Sequence, residues 1–322
     1  MTSAGRRVSF SDVAKAAHDT ARGAGAPSAG ADADAGTFAA ARPRLMALAY
    51  RMLGSMGDAE DAVQETFIRW HGADQASIRT PAAWLTTACT RICIDRLRKA
   101  KAERAAYVGT WLPEPVAVEP PEDEALGESL SMAFLVMLER LSPAERAAYL
   151  LHDVFESDYA AISAALGKSA AACRQLVSRA RRSLNIPEHG AKPRPRYTAD
   201  PARAEALATE FVTAAQAGDT TRLMAMLAED AELWSDGGGK AAAALNVIHG
   251  ADRIARFFVG IRGKQEPGLQ MVFRPVNGRP GIVGYVGARA DFALALEPAE
   301  SGRIGAVYIV RNPDKLARLA AH

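Results

Sequence analysis

The stretch from residue 57 to residue 104 constrains the fold most, because it holds two helical patterns of different character. Wound at about 100° per residue, the first pattern places Ala59, Val63, Phe67 and Trp70 on one face, which can bury in a helical bundle. The opposite face is acidic, with one apolar position. It consists of Asp61, Gln64, Glu65 and Ile68. Such a face suits docking of a basic partner helix, although the same pattern also fits an ordinary solvated face.

The second pattern, from Pro81 to Arg104, begins apolar and ends basic. Trp84, Leu85 and Ile92 belong to the apolar part, which can pack in the same bundle. The basic end is able to meet the phosphates of a nucleic acid. Its candidate DNA contacts are Arg96, Arg98 and Lys99.

Composition narrows the class of protein. The length of 322 residues predicts two or three domains, and the apolar content of 49% is ample for their cores. The 3 cysteines are irregularly spaced, which argues against a disulfide framework or a zinc site, so we expect no metal and no cofactor. The chain has neither an apolar run long enough to span a membrane nor the apolar core of a signal peptide. We therefore expect a cytoplasmic protein without membrane contact.

The helix pair resembles domain two of bacterial sigma factors of the small extracytoplasmic-function type. The matching residues run from Gly57 to Phe67 and from Trp84 to Lys99. In that family the first helix binds the clamp helices of the RNA polymerase β′ subunit, and the second helix opens and holds the minus-ten promoter element. The resemblance implies that Asp61, Gln64 and Glu65, with Ile68 beside them, form the polymerase-binding face. Core polymerase, including its β subunit, and promoter DNA are the implied partners.

A second helical domain follows an acidic, proline-rich linker. Ser142 to Glu145 predicts a capped helix start, and two helices from Asp158 to Leu166 and from Ala170 to Asn185 have helix-turn-helix spacing. One face of the last helix suits entry into a major groove. Its side chains are Arg174, Gln175, Ser178 and Arg182, and Arg179 and Arg181 flank it toward the phosphates. The stretch from Leu141 to Leu184 resembles sigma domain four, which reads the minus-thirty-five element.

From Ala202 onward the pattern changes to helices followed by a run of strands, which predicts an α+β domain with a curved antiparallel sheet. The expected strands are Leu269–Val276, Gly281–Val286, Ala288–Leu296 and Gly305–Val310, with a short one at Ala231–Trp234. This order resembles the SnoaL-like cone fold, shared with polyketide cyclases and ketosteroid isomerase. The fold class is therefore multidomain, with two all-α sigma domains and an α+β SnoaL-like domain.

Three motifs narrow the resemblance to sigma factors that carry such a fused domain. They are the linker motif with Trp111, Leu112 and Pro113, the glycine motif Asp236, Gly237, Gly238, Gly239 and Lys240, and the C-terminal motif with Asn312, Pro313, Asp314 and Lys315. In this subgroup the extension replaces a separate anti-sigma factor. Because glycines allow close approach of another backbone, we expect the linker to dock on the glycine motif and to set the separation of the sigma domains. A merely flexible glycine loop is the alternative.

These patterns divide the chain into six segments. They are a flexible lead (1–36), sigma domain two (37–105), an acidic linker (106–128), sigma domain four (129–187), a basic linker (188–200) and a SnoaL-like regulatory domain (201–322). The expected function is promoter-specific transcription initiation, modulated in cis by the last domain.

Two other functions are compatible with parts of the chain. A helix-turn-helix regulator that does not recruit polymerase would need only the basic helices. A pocket enzyme of the ketosteroid isomerase type would need a carboxylate base in the cone. Its titratable candidates are Asp236, His249, Asp252, Tyr285 and Asp291. No spacing among them specifies a base and an oxyanion donor, so we expect no enzyme and favour a small-molecule ligand over turnover.

Overall fold

A computed structural model of the chain describes residues 29–117, 130–186 and 201–319. The first 28 residues, most of the acidic part of the first linker, all of the basic second linker and the last three residues lie outside these ranges. The expectation of a flexible lead therefore falls largely outside the described residues, and the expectation of a basic linker falls wholly outside them.

The first domain is a bundle of helices. It contains α1 (Ala29–Leu53), α2 (Met56–His71), a one-turn 3-10 helix (Gln75–Ser77) and α3 (Pro81–Ala105). Gly54, at φ 72°, lets the chain leave α1 and enter α2 within two residues. Ser55 caps α2 by accepting a hydrogen bond from the backbone N–H of Asp58 at 3.2 Å.

Two details of this bundle differ from the sequence-based expectation. Helix α1 begins at Ala29, inside the segment expected to be a flexible lead, because alanine-rich sequence favours helix. Pro43 therefore lies inside the helix rather than near its start, and packing of the buried Leu45 and Leu48 against the other helices offsets the lost hydrogen bond. Phe67, expected in the core, is 37% exposed and packs its ring edge-on against Phe38.

The second domain contains the helix-turn-helix. Its elements are α4 (Met132–Leu138), α5 (Pro143–Tyr149), a π-helical turn (Leu150–Val154), α6 (Tyr159–Leu166) and α7 (Ala170–Ser183). The expected capping box is present, since Ser142 and Glu145 exchange side-chain to backbone hydrogen bonds. Gly167 ends α6 in the left-handed conformation at φ 61°, and Ser169 caps α7.

The two helical domains pack together around one continuous hydrophobic core. Hydrogen bonds from arginine side chains also join the two helical domains. The buried Arg146 guanidinium of α5 donates to the carbonyl of Met52 at 2.7 Å, at the end of α1. Arg91 of α3 donates to the carbonyls of Ala164 and Ala165 at the end of α6, at 2.7 and 3.0 Å. The first helix of the helix-turn-helix is thus held against the helix that ends in the basic residues.

The C-terminal domain is a mixed sheet with helices. Its elements are α8 (Pro201–Ala217), α9 (Thr220–Met226), β1 (Leu227–Asp236), β2 (Ile248–His249), α10 (Ala251–Ile261), a 3-10 turn (Arg262–Lys264), β3 (Leu269–Phe273), β4 (Gly281–Val286), β5 (Arg289–Pro298), β6 (Ile304–Val310) and α11 (Pro313–Leu316). The 6-stranded sheet has the order β2-β1-β6-β5-β4-β3. The expectation of a wholly antiparallel sheet is wrong in one place, because β1 and β6 are parallel. The long crossover through α10 and β3 to β5 makes that pairing possible.

Side chains alternate between the two faces of this sheet. On one face Ile282, Leu294 and Ile309 pack under α8 and α10. On the other face Val283, Tyr285, Ala293, Tyr308 and Val310 pack against residues from outside the domain, namely Leu112 of the linker and Met132 of α4. The expected fold class is confirmed. None of the helices in the described ranges combines the length and apolar character that a membrane crossing requires.

Candidate functional site: the linker junction and the contact surfaces

The linker motif meets the glycine motif at a buried carboxylate. Asp236, at the end of β1, is 0% exposed. Its Oδ2 accepts from the backbone N–H of Leu112 at 2.8 Å and from Nζ of Lys315 at 2.6 Å. Its Oδ1 accepts from the hydroxyl of Tyr107 at 2.7 Å and from the backbone N–H of Gly238 at 2.9 Å. One carboxylate therefore joins the linker, the glycine loop and the last helix, and we call this set of contacts the linker junction.

Lys315 and Trp111 form the second layer of the junction. The Lys315 ammonium also donates to the carbonyl of Leu112 and lies 4.3 Å from the centroid of the Trp111 ring. The guanidinium of Arg104, at the end of α3, lies over the same ring at 3.9 Å. Burial lowers the pKa of Lys315, and the neighbouring Asp236 carboxylate opposes that shift. Trp111 thus sits between cations from domain two and from the extension.

The glycine motif makes a tight turn rather than an open loop. Gly238 and Gly239 have φ values of 58° and 70°, which other residues adopt at a cost. A Cβ on Gly238 would lie 2.3 Å from Nδ2 of Asn312, and a Cβ on Gly237 would lie 2.1 Å from the carbonyl oxygen of Ala241. The three C-terminal motif residues around Pro313 pack against this turn. Lys240 and Asp314 form an ion pair there that is exposed on both sides.

Glu114 joins the linker motif to the start of α2. Its Oε2 accepts from the backbone N–H of Met56 at 2.8 Å, at the first turn of α2. Its own backbone N–H donates to the carbonyl of Gly54 at 2.8 Å. Arg318, near the C-terminus, lies 3.3 Å from Glu114 and also pairs with Glu60 on α2 at 2.6 Å. Linker and extension therefore both touch the start of α2.

Asn277 is a junction residue that the sequence analysis missed. Its side chain accepts from the N–H of Val116 at 3.0 Å and donates to the hydroxyl of Tyr50 at 2.8 Å and to the carbonyl of Leu130 at 3.0 Å. Its backbone N–H donates to the carbonyl of Val116 at 2.8 Å. It is buried at φ 52°, followed by Gly278. The Asn-Gly pair was a detectable turn signal, but such pairs usually mark only a hairpin.

The four residues of the predicted acidic face all belong to α2. Asp61, Gln64 and Ile68 are exposed, Ile68 at 63%, and Glu65 is half-buried. Arg96, a predicted DNA contact, lies with its guanidinium 3.6 Å from Asp61 and 3.4 Å from Glu65, on the acidic face. This intramolecular pairing competes with the predicted DNA contact. Arg98 pairs with Asp95 at 3.0 Å and, like Lys99, is exposed.

The recognition face of α7 is open to solvent. Arg174, Gln175, Arg179 and Arg182 are exposed, and Ser178 is half-buried. The Arg174 guanidinium lies 5.2 Å from the centroid of the Tyr159 ring. Arg181 differs from its neighbours, because Nε and Nη2 both bind the carboxylate of Asp153. That bidentate bond raises the pKa of Arg181 and ties α7 to the π-helical turn that holds Asp153.

The residues that an enzyme reading would need are dispersed. Asp236 belongs to the linker junction, and Tyr285 lies on the linker-covered face of the sheet. His249 pairs with Glu232 at 3.3 Å and Asp252 with Arg256 at 3.0 Å, both at the surface. Asp291 lies in a cavity between the helices and the sheet, bonded to Arg311. Within the described ranges, no group of three or more His, Cys, Asp or Glu side chains has the arrangement of a metal site.

The chain thus combines a helical domain that carries an exposed acidic face with a helix-turn-helix domain, a motif typical of DNA-binding proteins. Residues 37–103 match the family Sigma-70 region 2, and residues 131–184 match Sigma-70, region 4. The chain belongs to the extracytoplasmic-function group of the sigma-70 family, and it is an RNA polymerase sigma factor for transcription initiation. Sigma factors are not enzymes.

Two relatives match most of the length of this chain. The ECF RNA polymerase sigma factor SigJ of Mycobacterium tuberculosis is 38% identical over 295 residues, which cover 86% of this chain and 91% of SigJ. The probable ECF RNA polymerase sigma factor SigI of the same species is 32% identical over 285 residues, covering 87% of this chain and 93% of SigI. The crystal structure of SigJ superposes with a TM-score of 0.67 at 34% identity, covering 86% of this chain and 96% of that structure.

Proposed function

We propose that the acidic face of α2 binds the β′ clamp helices of core polymerase and that domain four contacts the β subunit. The exposure of Ile68 at 63% beside Asp61 and Gln64 supports this assignment, since the face offers a partner helix an apolar contact surrounded by polar ones. Arg96 already pairs with this face inside the chain, which shows that the face accepts a basic side chain.

DNA contacts are assigned to two basic surfaces. Arg98 and Lys99 at the end of α3 would hold the minus-ten element, with Arg96 joining them only after it leaves Asp61 and Glu65. The recognition helix α7 would read the minus-thirty-five element. Its proposed contacts are Arg174, Gln175, Ser178, Arg179 and Arg182, with Arg181 holding the helix in place.

The proposed regulation in cis rests on one observation, the buried Asp236 carboxylate that joins linker, glycine loop and last helix. While the linker is docked, domain two and domain four share one core. The minus-ten and minus-thirty-five elements are separate stretches of DNA, so both domains can engage them only after parting. The exposed face of α2 remains available in the packed form, so polymerase can bind first and separation can follow.

The same proposal includes a small-molecule ligand in the cavity of the extension. It also implies that the protein works in the cytoplasm, where polymerase and promoter DNA are found.

The polymerase assignment is tested with Ile68→Arg in the full chain. A charge at the centre of the face should weaken core polymerase binding at least about tenfold, since a central apolar contact contributes more than about 1.4 kcal/mol. Met224→Arg is the control, because Met224 is also a large exposed apolar residue but lies on the extension. Equal polymerase affinity of the two variants would exclude α2 as the binding face.

A further inference from the structure

Arg91 of α3 holds domain four through two backbone carbonyls. Its Nη2 donates to the carbonyl of Ala164 at 2.7 Å, and its Nε donates to the carbonyl of Ala165 at 3.0 Å. Both carbonyls belong to the last turn of α6, where the carbonyls of a helix lack partners within the helix itself. A guanidinium is favourable at this place, because it satisfies these acceptors and faces the negative end of the helix dipole.

The charge of Arg91 is not neutralised by this contact. Within the described ranges its hydrogen bonds go to the two carbonyls, and no carboxylate pairs with it. Its side chain also remains exposed beside α6. A carbonyl is a neutral acceptor, whereas a phosphate is an anion that the fork of an arginine can bind through two hydrogen bonds. Arg91 can therefore exchange its carbonyl partners for a phosphate when the two domains part.

Arg91 lies on the same face of α3 as Arg98. Arg98 follows it by seven positions, which is close to two helical turns, so the two side chains leave the helix in nearly the same direction, about 10.5 Å apart along its axis. Between them on this face is Asp95, which is exposed and pairs with Arg98 at 3.0 Å. DNA that meets Arg98 and Lys99 and follows this face of α3 reaches Arg91, at the place where α6 ends in the packed form.

We propose that Arg91 has two successive roles. In the free protein it closes α6 onto α3, and after the domains part it binds a phosphate of the promoter beside Arg98. Domain four therefore covers one end of the DNA-binding surface of α3 in the packed form, although its own recognition face on α7 stays open. Because DNA and α6 compete for one guanidinium, promoter DNA favours the parted form. The inference rests on the proposed assignment of the basic end of α3 to DNA.

Arg91→Ala tests both roles in the full-length protein. Loss of the hydrogen bonds between the domains should lower the melting temperature of the free chain by at least about 1 °C. Loss of a phosphate contact should weaken promoter binding by the complex with core polymerase at least about fivefold. It should also reduce the slope of log affinity against log salt concentration by about one. A residue used only for packing would not weaken promoter binding, because its loss favours the parted form.

Arg44→Ala is the matched control. Arg44 also crosses the interface between the two domains, since its Nη2 donates to the carbonyl of Phe155 at 2.8 Å, but it lies on α1. Its loss should lower the melting temperature without reducing the salt slope of promoter binding. Arg91→Lys keeps the charge but lacks the fork that reaches two carbonyls. It should therefore restore the salt slope and only part of the melting temperature.

Two results overturn the proposal. An unchanged salt slope for Arg91→Ala excludes Arg91 as a phosphate contact, and an unchanged melting temperature excludes it as a restraint on domain four. Arg98→Ala, measured in parallel, separates this inference from the assignment on which it rests. If Arg98→Ala reduces the salt slope and Arg91→Ala does not, the role of Arg91 alone is rejected. Unchanged slopes in both variants reject the basic end of α3 as a DNA-binding surface.

Discussion

Asp236 shows how one residue can connect distant parts of a chain. Its carboxylate is fully buried, and an uncompensated charge there would be very costly. Lys315 supplies the opposite charge, and the N–H groups of Leu112 and Gly238 with the Tyr107 hydroxyl supply the remaining donors. Two of these partners, the N–H of Leu112 and the hydroxyl of Tyr107, belong to the linker and are lost if it leaves, whereas Lys315 and Gly238 belong to the extension. Undocking the linker would therefore remove half of the donors to a buried carboxylate, which favours the docked form.

Asp236→Asn should release the linker. The amide keeps the shape of the side chain but removes the negative charge opposite Lys315. Its NH₂ group also faces N–H and O–H donors where the carboxylate oxygen accepted hydrogen bonds. Together these changes should destabilise the docked linker by about 3–5 kcal/mol. Amide hydrogen exchange at Glu114 and Val116, neither of which bonds to Asp236, should accelerate at least about a hundredfold. The control is Asp314→Asn, which removes a charge from an exposed ion pair with Lys240. It should change the exchange rates of the same two amides by less than about threefold. Equal exchange in both variants would show that the carboxylate does not hold the linker.

Asn277→Gly should loosen the same linker from its other end. Glycine keeps the left-handed backbone but removes the amide that bonds Val116, Tyr50 and Leu130, and each buried partner left unsatisfied costs about 1–3 kcal/mol. Exchange at the Glu114 amide should rise at least about tenfold, while exchange within α7, which Asn277 does not touch, should stay at the wild-type rate. Unchanged exchange at Glu114 would place the restraint elsewhere.

At this scale the sequence predicted residue types better than residue partners. The acidic face and the recognition face follow from helical spacing, which local sequence determines. The pairing of Arg181 with Asp153 and of Arg96 with Asp61 depends on which helices pack together, so a basic stripe alone did not distinguish a structural arginine from a DNA contact. The role of Asn277 depends on the packing of its turn against the linker and both sigma domains, which local sequence does not specify.

Two neighbouring arginines of α7 should respond differently to substitution, because Arg181 is paired within the protein and Arg182 is a proposed DNA contact. Arg181→Ala should destabilise the protein by about 1–3 kcal/mol, because Asp153 loses a charge-assisted hydrogen bond in a partly buried site. Arg182→Ala should leave the melting temperature unchanged and lower promoter affinity of the polymerase complex, with a salt dependence reduced by about one counterion. Thermal melting and binding at several salt concentrations check both results. An unchanged salt dependence for Arg182→Ala would remove it from the DNA contacts.

The linker segment should also respond to alkaline pH. Burial raises the pKa of Tyr50 and of Tyr107, and the hydrogen bond from Tyr107 to Asp236 adds to its shift. A pKa raised by docking stabilises the docked state fully below the ordinary phenol value, about 10, and this stabilisation is lost as pH rises through the docked value. Linker exchange, corrected for its intrinsic pH dependence, should therefore accelerate above pH about 10. Tyr107→Phe should reduce this pH dependence, and an undiminished dependence would exclude Tyr107 as a cause.

Element boundaries were predictable where local signals are strong. The capping box at Ser142, the end of α6 at Leu166 and strand β4 all lie where the sequence placed them. The parallel pairing of β1 with β6 was not predictable from alternation, because alternation specifies a strand but not its neighbour. The short strand β2 offers too few residues for any periodic signal.

At the scale of the whole molecule, the structure has three hydrophobic clusters that differ in which domains they join. One runs through both sigma domains, one lies inside the extension, and the third joins the open face of the extension's sheet to Leu112 and Met132. The third cluster exists only while linker and domain four remain on the extension. The extension thus stabilises the packed arrangement by covering its own sheet with parts of the sigma factor.

The distance between the sigma domains tests this account most directly. The native cysteines Cys89, Cys93 and Cys173 are buried, so spin labels on Ala83→Cys in domain two and Ser183→Cys in domain four report one distance. We predict a single short distance in the free protein, a longer one with core polymerase bound, and a mixture of both in free Asp236→Asn. The same distance distribution in all three samples would contradict control of domain separation by the linker junction.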